Sequence, residues 1–299
     1  MSPVPPSPRV RHQADPPPTR RRTPAVLLAA IAVVLLATLA AALPATSSAS
    51  SPASTITTAT HKGPNKTKPT IVLVHGAFAD SSGWNSVTSQ LLKEGFDVIA
   101  FSNPLRGPQA DGEYLRQFLS TISGPVVLVG HSYGGAVITN AATGNPNVKS
   151  LVYVAAYAPE QGESVAQANA LGGGTTEVTN HLVVRPYPGA PAGDGDAYID
   201  PDWFPRLFAQ DLPRDTAAVL AATQRPGALA ALLTPSGVPA WKTIPSWYLV
   251  ANQDRIIPPE AERAMAARAK AKTVSINSSH VAMMSHPGVV VDLIKAAAR

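Results

Sequence analysis

The chain is 299 residues long, 45% hydrophobic and 14% charged, with no cysteine and a formal net charge of +5. Without cysteine there are no disulfides and no lipid-modified thiol, so the fold must stand on its core alone. The positive balance is local: residues 1–69 hold eight of the 24 Lys and Arg and one acid, Asp15, while the rest carries 16 basic against 18 acidic residues, a near-neutral domain without the charge footprint of a nucleic-acid binder.

The first 49 residues read as an export signal. Arg20-Arg21-Arg22 precede an apolar run from Ala25 to Leu43, and small residues then offer cleavage near Ala45 or Ala49. The mature protein would begin near Thr46 or Ser50 and be secreted or extracytoplasmic. The alternative is a membrane anchor formed by residues 25–43, a run just long enough to span a bilayer. Export by the twin-arginine route is the weaker route, because Thr23-Pro24-Ala25 lacks the apolar pair that completes such a signal. Residues 50–69, rich in Ser, Thr, Pro and Lys, form a flexible linker.

From residue 70 onward apolar runs alternate with helical patterns. Strands are expected near 70–74, 96–101, 125–129, 149–154, 245–251 and 272–276, and helices near 84–94, 110–123, 133–143, 258–270 and 287–298. This alternation predicts an α/β domain over 70–299, a mostly parallel sheet with helices on both faces. The rhythm breaks between about 157 and 241, which is expected to be a lid. Its aromatic residues Tyr198, Trp203, Phe204 and Phe208, with Phe78 outside it, are candidate substrate-pocket residues.

The chemistry concentrates where strands end. Val126-Val127-Leu128-Val129 runs into Gly130-His131-Ser132-Tyr133-Gly134 and then into a small-residue helix. A strand, Gly-x-Ser-x-Gly and a helix put the serine on a strained turn at the carboxyl edge of a sheet. A serine hydroxyl needs a base, an orienting acid and an oxyanion hole. Asp254 follows the strand Ser246–Ala251, and His280 follows the strand Thr273–Ile276, giving the order Ser, acid, His. The strand Thr70–Val74 ends in His75-Gly76-Ala77-Phe78, and the N–H groups of Ala77 and Tyr133 are the candidate oxyanion donors.

On these residues, together with Ser82-Gly83-Trp84, Ile257-Pro258-Pro259 and the run Ser279 to Pro287, residues 70–299 resemble the compact α/β-hydrolases that include plant methylesterases, hydroxynitrile lyases and related bacterial esterases. The resemblance implies an α/β-hydrolase fold and a Ser132–Asp254–His280 triad, with no metal and no organic cofactor. Lyase chemistry is disfavoured, since lyases of the group carry a threonine at the position of Gly76 and a lysine at that of Val281. Ser132, where an aspartate would stand in a dehalogenase or epoxide hydrolase, argues against both.

The expected activity is a serine hydrolase acting on small to medium, largely apolar carboxylic esters through an acyl-enzyme. A lactonase or a cofactor-free perhydrolase or haloperoxidase would use the same triad, and a non-enzymatic receptor on this scaffold is the alternative of another class. The expected partner is a small-molecule ester, with no nucleic acid and no stable membrane partner once the signal is removed. His75 is read as an anchor of its turn, His131 as structural, His286 as a helix cap and His181 as a lid residue; His12 and His61 precede the domain. Asp194, Asp196, Asp200 and Asp202 cluster in the lid without the spacing of a calcium loop, so turn formation is the expected role.

Overall fold

Residues 68–299 are described by a computed structural model; the expected export segment, 1–49, and the linker as far as residue 67 lie outside the described residues. Among the described residues no helix is long and apolar enough to cross a membrane. Six apolar runs form one parallel sheet: β1 Thr70–Val74, β2 Val98–Phe101, β3 Val126–Ser132 and β4 Val148–Ala156 precede a long insertion, and β8 Ser246–Ala251 and β9 Lys272–Ile276 follow it. The spatial order is β2-β1-β3-β4-β8-β9, with every adjacent pair parallel.

Every residue of β3 and β8 is buried. Continuous burial requires cover on both faces, and the helices supply it. Asn85–Lys93 and Pro287–Ala297 pack together on one face, whereas Pro108–Leu119 packs on Tyr133–Ala141 on the other, with Pro259–Arg268 against β8. Their apolar positions explain the choice: Asn85–Lys93 buries Val87 and Leu91, four residues apart on one side, and Pro287–Ala297 buries Val290, Val291, Leu293, Ile294 and Ala297. The order of strands and helices follows the sequence expectation, with ends shifted by a few residues.

The segment between Ala156 and Ser246 contains a second, antiparallel sheet of β5 Leu182–Arg185, β6 Asp196–Ile199 and β7 Gly227–Ala228, in the order β5-β6-β7. Two helices, Phe204–Phe208 and Arg214–Thr223, lie between β6 and β7 in the chain. Gln224 stitches them to β6 by accepting the Ile199 amide at 2.9 Å and donating to the Ile199 carbonyl at 2.8 Å.

Behind the turn of β3 the helix Tyr133–Ala141 is seated directly on the end of β1. A Cβ at Gly134 would stand 2.4 Å from the Val74 carbonyl oxygen and 2.8 Å from that of His75, both rigid backbone. Gly134→Ala should therefore cost about 1–3 kcal/mol of stability through overpacking, read as a lower urea midpoint. An unchanged midpoint would mean that helix and strand do not approach this closely.

Candidate active site

Ser132 is the last residue of β3 and immediately precedes the helix, and it makes that transition at φ 54° and ψ −127°. This is a left-handed conformation that costs a non-glycine residue energy and persists only when its surroundings enforce it. Here the carbonyl of Ser132 accepts the Tyr157 amide at 3.1 Å, and Gly76 presses from the side, where a Cβ would meet that of Ser132 at 2.5 Å and its Oγ at 3.0 Å. Tyr133 is the first residue of the helix, so its amide has no carbonyl one turn earlier to bond. Its phenol donates to Asp111 at 2.7 Å, and Asp111 also takes the amides of Arg106 and Gly107. Burial and then the Asp111 charge push the Tyr133 phenol well above its ordinary range.

The turn after β1 is fixed by a histidine. His75 Nε2 accepts the Asn103 amide at 2.9 Å, so its proton sits on Nδ1, which donates to the Gly76 carbonyl at 2.9 Å. Burial lowers the His75 pKa, consistent with a neutral ring in a structural position. Ala77 follows, buried, and Phe78 closes the turn at φ 62°.

Asp254 and His280 meet at the carboxyl ends of β8 and β9. His280 Nδ1 lies 2.5 Å from Asp254 Oδ2, and both side chains are fully buried. Asp254 Oδ1 accepts the amides of Ile256 at 2.7 Å and Ile257 at 3.0 Å, which locks the carboxylate plane. His280 Nε2 is buried and has no hydrogen-bond partner, so the serine–imidazole hydrogen bond is not closed in this conformation. The His280 ring contacts His131, 4.7 Å away centre to centre, and Phe208, 4.8 Å away edge to face. His131 donates from Nε2 to the His280 carbonyl at 2.9 Å. Burial, reinforced by neighbouring His280, holds the His131 pKa well below its usual value and the ring uncharged.

Beside these groups a narrow cleft is lined by Phe78, Phe204, Phe208, Val281, Met283 and Leu220, among others. Tyr198 and Trp203, expected in the pocket, do not line this cleft, for a local reason. The β6 strand alternates, sending Ala197 and Ile199 inward and leaving Tyr198 on the opposite face under Arg185. Trp203 stacks on His181 at 3.6 Å and carries Arg206 on its ring. His286 bonds Ser285 at the start of the last helix, away from the Asp254 pair. The clustered acids of the insertion are engaged locally: Asp194 accepts the Ala230 and Gly195 amides and the Tyr187 hydroxyl, Asp196 pairs with Arg106 at 2.6 Å, and Asp200 takes the Asp202 amide. Among the described residues no group of three or more His, Cys, Asp or Glu is placed to hold a metal ion.

Two residues that sequence reasoning passed over fasten the insertion to these loops. Gln210 donates to the Gln253 carbonyl at 2.6 Å, one residue before Asp254, and Asp211 accepts the Ser279 amide at 2.8 Å, one residue before His280. For Asp211, burial pushes the carboxyl pKa up, but hydrogen bonds from Ser279 and Ser285 outweigh it and leave the net shift downward. No local pattern marks a single Gln-Asp pair in a loop as a clamp. Asp211→Ala should reduce amide-exchange protection at Ser279 and lower stability by about 1–3 kcal/mol, the range for a lost hydrogen bond to a charged group. Unaltered protection at Ser279 would remove the clamp.

Comparison with known proteins places this geometry. A sequence model of the Alpha/beta hydrolase family matches residues 71–293. The Carbendazim hydrolyzing esterase of Nocardioides sp. is 37% identical over 107 residues, an alignment covering 31% of this chain and 44% of that relative, so the chain spans under half of it. Methylesterase 17 of Arabidopsis thaliana is 25% identical over 259 residues, covering 79% of this chain and 93% of its own. Among solved structures, polyneuridine aldehyde esterase superposes with a TM-score of 0.67 at 20% identity, covering 78% of this chain and all of that one, a likeness of fold. The chain belongs to the alpha/beta hydrolase family, as an enzyme of that type similar to its methylesterases.

Proposed function

We propose that the protein is a serine carboxylesterase for small to medium apolar esters, with Ser132 as nucleophile, His280 as base and Asp254 as its orienting acid. The observation that carries this reading is the buried 2.5 Å His280–Asp254 pair at the same sheet edge as a serine held at φ 54°. Ser132 Oγ attacks the acyl carbonyl and its proton passes to His280 Nε2, the nitrogen left without a partner. Closing that leg on substrate binding accords with catalytic hydrogen bonds that tighten only in the complex. The Ala77 and Tyr133 N–H groups receive the oxyanion. Collapse expels the alkoxide, which takes the proton from His280 and leaves as the alcohol. Water then attacks the acyl-enzyme, giving its proton to His280, and the acid departs as Ser132 regains the proton. Neutral His131 adds no charge to compete with the imidazolium.

The cleft beside Phe208, with Val281 and Met283 in its wall, favours a small apolar group on the ester. A p-nitrophenyl ester panel should therefore show turnover that falls with bulk, and a fluorophosphonate should label wild type at Ser132. Ser132→Ala should lose the label and lower kcat by about 10⁴-fold or more. Ester-induced thermal stabilisation without label or turnover would instead establish a binding protein.

Residues 1–49 act in this reading as an export signal, supported by the arginines before and the small residues after the run Ala25 to Leu43. N-terminal sequencing of protein from culture medium should begin near Thr46 or Ser50. Full-length protein confined to the membrane pellet would make residues 25–43 an anchor.

A further inference from the structure

A second carboxyl lies behind Asp254. Glu262, in the helix Pro259–Arg268, is fully buried, and its Oε2 accepts the Ala251 amide at 3.0 Å. Its Oε1 is buried and receives no hydrogen bond, and the same Ala251 takes the Asp254 amide on its carbonyl at 3.1 Å, so both acids are tied to one residue at the end of β8 and the Asp254 charge bears on Glu262. In a dry site the charge on one carboxylate disfavours ionisation of a second beside it.

The neighbours decide which of the two keeps its proton. Asp254 is already an acceptor at both oxygens, from the Ile256 and Ile257 amides at Oδ1 and from His280 Nδ1 at Oδ2. Tyr248, from β8, donates its hydroxyl to the Ala156 carbonyl, and Tyr157, beyond β4, donates to Asn169. Arg263, next along the helix, directs its guanidinium to Asn252 at 2.6 Å. None of these groups donates to Glu262 Oε1.

We propose that Glu262 is a positioning residue: its carboxyl keeps its proton and donates it from Oε1 to the Asp254 carboxylate, so that Asp254 is held from behind while it holds His280. This rests on the assignment of Asp254 as the orienting acid. Burial first, and the Asp254 charge second, push the Glu262 pKa well above the ordinary glutamate value. A folded pKa above the unfolded one means that the unfolded chain ionises first as pH rises, so Glu262 costs stability progressively above the ordinary carboxyl range.

Glu262→Gln keeps a donor and an acceptor of the same shape and removes the ionisation; Glu262→Met keeps the bulk and removes the donor. The melting temperature of the Gln variant relative to wild type should rise steadily as pH climbs above the ordinary carboxyl range of about 4. The Met variant should lose about 10-fold or more in kcat with little change in KM, and Gln should recover most of that loss. A melting-temperature difference that stays flat with pH overturns the proposal, as does a Met variant with wild-type kcat or a Gln variant as impaired as Met. The melting profile needs no turnover, so a failure of the esterase reading, seen as an active Ser132→Ala, stays separable from a failure here.

Discussion

Three stretches of backbone come together at the carboxyl edge of the sheet with almost no side chain between them, and the site is built on that contact. Ser132 ends a strand and starts a helix within one residue, at a backbone conformation that its neighbours must enforce. Gly134 lets the helix sit on the end of β1, and Gly76 lets the turn after β1 lie against the serine itself. His75 and Asn103 then fix that turn through two hydrogen bonds in which both residues are buried. Serine and turn are one mechanical unit, held by close packing and not by the hydroxyl's own hydrogen bonding.

Around this unit the charge is concentrated on few groups. His75 and His131 are kept neutral by burial, and Asp254 accepts two amides and an imidazole. In so dry a setting each remaining polar contact gains strength, and each unpaired group becomes costly. That asymmetry explains why the loops bearing Asp254 and His280 are tied at the preceding residue by Gln210 and Asp211, since a loop free to shift would strand a buried charge.

The sheet was legible in the sequence because its strands are unbroken apolar runs separated by helical spacing, and the elbow because its glycines meet a steric demand. Asp254 and His280 were legible from their place just after strands. The place of the insertion showed as a break in that rhythm, but its internal structure was not legible. Its β7 strand is two residues long, and one period of alternation in β6 decides that Tyr198 faces away from the cleft. Glu262 was hidden for another reason: Glu260 and Glu262 are two residues apart and so lie on different sides of their helix, and only the packing of that helix on β8 decides which acid is turned inward.

The insertion leaves the sheet at β4 and re-enters at β8, two strands that are hydrogen-bonded neighbours running in the same direction. Every residue between them belongs to a single crossover whose two ends are held in place by the sheet. Such a segment is free to lengthen, shorten or be exchanged between relatives without altering the register of β4 on β8, provided that a few fastenings such as Gln210 and Asp211 are kept or replaced. Selection on the insertion's share of the cleft wall can thus act on one contiguous stretch of gene, while the residues that hold the serine, imidazole and carboxylate stay under a separate constraint.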